Sequence, residues 1–298
     1  MAIFQGSGVA LITPMKKDGT IDFNQLNDLV DWQVEQGSDA IIACGTTGEA
    51  STLTDEEHIA VIEACVKQVA GRIPVIAGTG SNNTQHGIHL CQEANRVGAD
   101  ALLIVTPYYN KATKKSLLAH YKALCESVSL PVLLYSVVSR TGMNLTFDLV
   151  KELKKIPNVV GIKEASGDIS QIVEIATLVD EDFSLYSGND DQVIPLLSVG
   201  GSGVISTIAN ILPKQTSTMV HNFLQGQTDV ALKEQFHQLP LIQTLFSEVN
   251  PVPVKAAVSI LGKCEMNYRL PLATPEKETF TRLKKEMSAY GLFSKEEK

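Results

Sequence analysis

The chain has 298 residues, with 25 Lys and Arg against 33 Asp and Glu and a net charge of −8 at pH 7. That balance weighs against a nucleic-acid binder, which needs a basic face, but admits an anionic small substrate, because a pocket can be positive within an acidic protein. Only 19% of residues are charged, below the ~25% usual for soluble domains, which suggests much internal surface or much surface shared between subunits.

The length suits two domains of ~150 residues or one α/β barrel of ~250 with an addition. The cysteines are Cys44, Cys65, Cys91, Cys125 and Cys264, odd in number and without C-x-x-C spacing. A disulfide framework or zinc site is therefore not expected, and a reducing cytoplasm is. Met1 to Gly6 carries no basic or apolar leader pattern, and no apolar run approaches the ~18 residues of a membrane helix.

Short runs rich in Val, Ile and Leu recur at residues 8–13, 39–44, 73–78, 100–106, 131–137, 159–164, 183–187 and 203–206. Near-continuous apolar character marks strands buried on both faces, as in parallel sheets. Helix-period segments lie between them. Thr54-Asp55-Glu56-Glu57 reads as a capping box ahead of an apolar face of Ile59, Ile62, Val66 and Val69, with Gly71 as the stop. A second helix is expected over 84–97 with Thr84 as its cap and Gly98 as its stop, and Thr146 is a further cap. No glycine-rich dinucleotide signature follows the first strand, where Thr13-Pro14-Met15-Lys16-Lys17 stands, so a closed (β/α)8 TIM barrel is favoured over an open doubly wound sheet. The barrel unit is expected over 1–225. A helical extension packed on it, with helices near 229–246, 252–261 and 275–289, is expected over 226–298, ending in a frayed 295–298.

Barrel enzymes place their chemistry at the C-terminal ends of the strands. Those ends present Gly45-Thr46-Thr47-Gly48-Glu49, Gly78-Thr79-Gly80-Ser81, Pro107-Tyr108-Tyr109-Asn110, Tyr135 with Ser139-Arg140-Thr141-Gly142, Lys163-Glu164, Ser187-Gly188-Asn189-Asp190 and Ile205-Ser206. Lys163 is the unusual one, because it follows Val159-Val160-Gly161-Ile162 in an apolar strand. An amine in such a place loses hydration, which penalises its charged form, and a neutral amine condenses with ketones to an imine. The alternative is a lysine that snorkels to water or pairs with Glu164. Tyr135 on the neighbouring strand can shuttle protons, or can be a core tyrosine with a satisfied hydroxyl. The small-residue loop Gly45-Thr46-Thr47-Gly48 suits a carboxylate or phosphate. Ser187-Gly188 and Gly200-Gly201-Ser202-Gly203 lie where many barrels hold phosphate, so a phosphosugar isomerase is a rival at this point. His58, His86, His89, His120, His221 and His237 all lie in helix-like segments, so no metal is expected.

Gly45-Thr46-Thr47-Gly48-Glu49, Tyr108-Tyr109-Asn110, Tyr135, Ser139-Arg140-Thr141-Gly142, Gly161-Ile162-Lys163-Glu164-Ala165 and Asn250-Pro251-Val252-Pro253-Val254-Lys255 together resemble the dihydrodipicolinate synthase / N-acetylneuraminate lyase family over nearly the whole chain. The resemblance implies that Lys163 forms an imine with pyruvate, that Thr47 binds the pyruvate carboxylate, and that Tyr135 is the central acid and base of a proton relay with Thr46 and Tyr109. Tyr109 would reach into a neighbouring subunit's site. Gly188 and Ile205 complete the substrate-binding set. Arg140, which the synthases of the family carry and the sialic-acid lyases generally do not, would hold the carboxylate of L-aspartate 4-semialdehyde. The implied reaction is the first committed step of diaminopimelate and lysine biosynthesis, without cofactor, in a cytoplasmic homotetramer built as a dimer of dimers. The alternative within the family is a pyruvate-dependent lyase of N-acetylneuraminate or another sugar acid. A catalytically silent ligand-binding barrel is disfavoured because Lys163, Tyr135, Thr46 and Tyr109 are all present.

Two departures from the family pattern stand out. The usual Tyr-Asn-Val-Pro reads Tyr135-Ser136-Val137-Val138 here, and losing that proline frees the backbone beside Arg140, with a cost in efficiency expected. Regulated relatives bind lysine at a dimer interface, and Asn82, His58 and Tyr108 match that allosteric pattern. However, Asp55 stands where a histidine is frequent and His86 stands in place of the glutamate that would accept the ligand's ammonium, so weak or absent lysine inhibition is expected.

Overall fold

The computed structural model describes residues 2–293. All eight expected strands form, and they close in chain order into a parallel barrel. The order is β1 (Gly6–Ala10), α1 (Phe23–Glu35), β2 (Ala40–Ala43), α2 (Asp55–Val69), β3 (Val75–Gly78), α3 (Thr84–Arg96), β4 (Ala101–Val105), α4 (Lys114–Glu126) and β5 (Val132–Ser136). The short α5 (Val138–Thr141) and α6 (Phe147–Leu153) follow, then β6 (Val159–Glu164), α7 (Ile169–Ala176), β7 (Ser184–Ser187), α8 (Val193–Ser198), β8 (Gly203–Ser206) and α9 (Pro213–Leu224). Beyond the barrel lie α10 (Thr228–Leu245), α11 (Val252–Ile260) and α12 (Lys277–Tyr290). The expected end at 295–298 lies outside the described residues.

The apolar strands are buried on both faces because two cores need them. Ile42, Ile76, Leu103, Leu133 and Ile205 fill the barrel, while Ile41, Val75, Leu102, Leu134 and Ile162 pack outward against the helices. At the base, Phe4 stacks on Tyr186 with ring centroids 4.5 Å apart, and the tyrosine hydroxyl donates to the Phe4 carbonyl at 2.7 Å. The chemistry is thereby left to the other end.

Three boundaries differ from expectation for local reasons. The first strand runs Gly6–Ala10, not 8–13, because the Asn210 side chain takes the Ile12 amide at 3.0 Å and the Ala10 carbonyl at 2.8 Å and so ends the ladder. Asn83, not Thr84, caps α3 and accepts from the amides of Gln85 and His86. Before Gly71, Ala70 already takes the left-handed turn that ends α2 (φ +50°). The capping box at Thr54 forms as expected, whereas Thr146 precedes α6 without a side-chain cap bond.

The C-terminal helices are fastened to the loops at the barrel mouth. Lys255 of α11 donates to Glu49 at 2.6 Å, and both side chains are fully buried. Arg269 grips Glu57 with two bonds of 2.6 Å and also donates to the carbonyls of Gly19 and Thr52. The Asn250 side chain reaches Thr47 at 3.0 Å. These bonds set segments more than 200 residues apart in sequence against one another.

Candidate active site

Strand register brings the central pair together. In β5 and β6, Tyr135 sits opposite Lys163, and Lys163 in turn sits opposite Tyr186 of β7. Side chains alternate along a strand, so Lys163 points into the barrel and its neighbour Glu164 points out. Glu164 is bound there by the Ser166 hydroxyl and amide and by Gln171 Nε2 at 3.2 Å. The Lys163–Glu164 pairing weighed from sequence therefore does not form. Lys163 is only 6% exposed, and its Nζ lies 4.4 Å from the centroid of the Tyr135 ring. Among the described residues no carboxylate lies within ion-pairing distance of Lys163. The amine is thus packed against a phenol and kept from bulk water.

Room beside the amine depends on one glycine. A Cβ on Gly188 would come within 3.0 Å of Lys163 Cε and 2.7 Å of Ala165 Cβ, so the loop after β7 can pass this close only without a side chain. Ile205 is 1% exposed and belongs to the same interior cluster as Tyr135.

The loop after β2 carries Thr46, half-buried, and Thr47, 2% exposed. It is bracketed by two residues in the left-handed region, Cys44 (φ +54°) and Glu49 (φ +56°). Non-glycine residues hold that conformation only where the surroundings over-determine it. Here the clamps are the Lys255 ion pair on Glu49 and the Asn250 amide on Thr47.

Arg140 lies in the one-turn helix α5, where its Nη2 donates to the Asn250 carbonyl at 3.0 Å. Val138, in the place of the family's proline, is the first residue of that helix. An amide there has no intrahelical acceptor to lose, so valine and proline are both accommodated, and the turn closes through Gly142 N to Val138 O at 2.9 Å. Ser136 is fully buried and bonds the Asn144 side chain and the Leu145 amide.

Lys163, Tyr135, Gly188, Ile205, Thr46, Thr47 and Arg140 thus come to one mouth. Tyr109 does not join them within the chain: it is 94% exposed, on a left-handed backbone (φ +69°). Asn82 donates to the Tyr108 carbonyl at 3.1 Å, and Tyr108 is exposed. His58 is buried, with Nε2 2.7 Å from the Gly78 carbonyl, and burial pulls its imidazole below the usual histidine range.

Sequence reasoning gave no role to three groups that the fold brings here. Asn250 bridges Thr47 and Arg140. Asp190, buried, accepts the amides of Thr207 and Ile208 and joins the last two strand loops; burial pushes its carboxyl up, opposed by Ser206, those amides and the charge of Lys163. The third is the Glu49–Lys255 pair. Each is a polar residue within a motif already noted, but its partner lies outside that motif, more than 100 residues away for Asn250 and for the Glu49–Lys255 pair.

A parallel barrel whose mouth sets a buried lysine amine against a tyrosine, with two carboxylate-binding candidates on flanking loops, has the groups that a lyase working on keto acids through an amine requires. No cluster of metal-ligating side chains occurs among the described residues. The model of the dihydrodipicolinate synthetase family matches residues 3–290. A 4-hydroxy-tetrahydrodipicolinate synthase of Caldicellulosiruptor saccharolyticus is 52% identical over 99% of this chain and 100% of its own. The dihydrodipicolinate synthase of Aquifex aeolicus superposes with a TM-score of 0.95 at 42% identity, covering 98% of this chain and 100% of that one. The enzyme of Acinetobacter baumannii, solved in complex with pyruvate, gives a TM-score of 0.95 at 42% identity over 97% of this chain and 99% of that one. The chain belongs to the dihydrodipicolinate synthetase family.

Proposed function

We propose that the chain condenses pyruvate with L-aspartate 4-semialdehyde to 4-hydroxy-tetrahydrodipicolinate, the reaction for which its curated relatives are named, in diaminopimelate and lysine biosynthesis. The observation that carries this reading is the placement of Lys163 Nζ 4.4 Å from the Tyr135 ring centroid at the mouth of the closed barrel. The amine attacks the pyruvate ketone and expels its oxygen as water, leaving an imine. Loss of a methyl proton gives the enamine, whose carbon attacks the aldehyde. The amino group of the second substrate then attacks the imine carbon, closes the ring and returns Lys163 as the free amine. Tyr135 carries protons through these steps in this reading, which its ring beside the amine supports, since each step moves a proton on or off an atom bound to the imine carbon or its neighbours. Thr47 holds the pyruvate carboxylate and Arg140 that of the second substrate, so two anions are bound by local groups in an acidic protein.

Tyr109 completes the relay from a neighbouring copy. Its exposed side chain on a left-handed backbone supports this, because such a backbone costs energy and the described residues leave the side chain 94% exposed. A homotetramer follows from the family pattern. No helix among the described residues is long and apolar enough to cross a membrane, and the cytoplasm is the proposed location.

Borohydride reduction in the presence of pyruvate, followed by peptide mass spectrometry, tests the central step. A stable adduct on Lys163 is expected, and an active preparation without one would exclude the imine. Assays with L-aspartate 4-semialdehyde against N-acetylneuraminate separate this reading from that of a sugar-acid lyase.

Lysine regulation is proposed to be weak or absent. His86 Nε2 binds Asp55 at 2.8 Å and its Nδ1 faces the Ser81 hydroxyl at 3.0 Å, so the Asp55 carboxylate is already engaged by the imidazole. His58 is held at Gly78. Steady-state rates are expected to hold in millimolar lysine, and inhibition at micromolar lysine would overturn the proposal.

A further inference from the structure

We infer that Asn250 is a positioning residue that aims the Thr47 hydroxyl at the pyruvate carboxylate while its backbone carries Arg140 for the second substrate; this rests on the reading proposed above. Asn250 lies between α10 and α11, is 7% exposed, and touches both subsites with different atoms. Its Nδ2 donates to Thr47 Oγ1 at 3.0 Å, and its carbonyl accepts from Arg140 Nη2 at 3.0 Å.

The direction of the first bond is the point. An amide N–H can only donate, so the Thr47 oxygen is the acceptor and the hydroxyl keeps its own hydrogen to give. Thr47 makes no other side-chain hydrogen bond among the described residues, so that hydrogen is uncommitted. A carboxylate only accepts, and a hydroxyl oriented in this way meets it with its hydrogen foremost. Without Asn250 the hydroxyl can turn to present a lone pair instead.

A purely structural asparagine fits less well. Its Oδ1 is buried and has no partner among the described residues. Burying half an amide unpaired costs stability, so the side chain is not there to satisfy the core.

The two links part under mutation, because substitution removes the side chain and keeps the carbonyl. Asn250→Ala is expected to raise the KM for pyruvate about fivefold to tenfold, the worth of one ordinary hydrogen bond, with the KM for L-aspartate 4-semialdehyde within about twofold of the parent. Asn250→Asp, equal in size and so the check on folding, accepts the Thr47 hydrogen and sets a negative charge beside the carboxylate, and is expected to raise the pyruvate KM about fiftyfold or more. In a Thr47→Val background Asn250→Ala is expected to add less than about twofold, since it acts through a hydroxyl already gone. The inference is overturned if Asn250→Ala raises both KM values alike, if it leaves the pyruvate KM unchanged, or if its full effect persists in Thr47→Val. Borohydride trapping distinguishes the levels: no adduct in the parent enzyme defeats the imine reading itself. Trapping by parent and Asn250→Ala at the same half-saturating pyruvate concentration defeats only the role of Asn250.

Discussion

Among the described residues two lysines are buried, and their surroundings are opposite. Lys255, on α11, is fully buried with its ammonium 2.6 Å from the Glu49 carboxylate and 5.3 Å from the centroid of the Tyr268 ring. Burial pulls that ammonium below its ordinary range, and Glu49 pulls it back. Lys163, at the end of β6, is 6% exposed and has an aromatic face but no carboxylate at ion-pairing distance among the described residues. Burial alone therefore does not make a lysine reactive. A partner that satisfies the charge commits the amine to structure, and the want of one leaves it for chemistry. The two are connected, because Glu49 ends the loop that carries Thr46 and Thr47 and Lys255 clamps that loop from the tail.

The comparison is sharpened by removing each amine. If Lys163 forms the proposed imine, Lys163→Ala is expected to lower kcat by about three orders of magnitude or more, with a urea midpoint equal to or above that of the parent, since its amine holds no ion pair for the fold to lose. Lys255→Met is expected to cost about 3–5 kcal/mol of unfolding free energy, because it strands a buried carboxylate. Replacing both partners, as Glu49→Leu with Lys255→Met, is expected to recover much of that stability but not the pyruvate KM, since the loop loses its clamp. Steady-state kinetics and urea melts on the same preparations read both quantities. A Lys163→Ala protein that unfolds readily, or a Lys255→Met protein as stable as its parent, would erase the distinction between the two lysines.

How much of this was legible in the sequence follows from distance along the chain. Strand ends are local features, so apolar runs and barrel geometry suffice to put Lys163, Tyr135, the Thr46–Thr47 loop and Arg140 at the mouth, while the roles proposed for them come from the family resemblance. Helix ends were legible where the cap is a local box, as at Thr54, and slipped by one residue at Thr84, where Asn83 offers a better acceptor. Asn250 and Lys255 were visible as parts of a motif in the tail. Nothing in their spacing says which loop they meet, because Thr47 and Glu49 lie more than 200 positions away. The shift of β1 has the same origin, since Asn210 ends that ladder from the far end of the barrel.

The second tail clamp, Arg269 on Glu57, extends the contrast to a partly exposed pair and should show the smallest effect. Its side chains are 20% and 28% exposed, so water screens it and its worth at neutral pH is about 1 kcal/mol, well below that of the buried pair. Arg269 is the main influence holding the Glu57 carboxyl below its ordinary value of 4.5, aided by the Thr54 amide and opposed by burial. A carboxyl depressed by folding stabilises fully above its unfolded value and loses that contribution as pH falls through the depressed folded value. Arg269→Met should therefore be less stable than the parent at pH 7. The gap should close as pH falls below about 4.5, where protonation of Glu57 removes in the parent what the substitution has already removed in the variant. Urea melts of both proteins from pH 7 to pH 3 would show it. A gap that stays constant across that range would mean that Arg269 holds the tail through its bonds to the Gly19 and Thr52 carbonyls, which do not titrate, and that the charge of Glu57 contributes nothing.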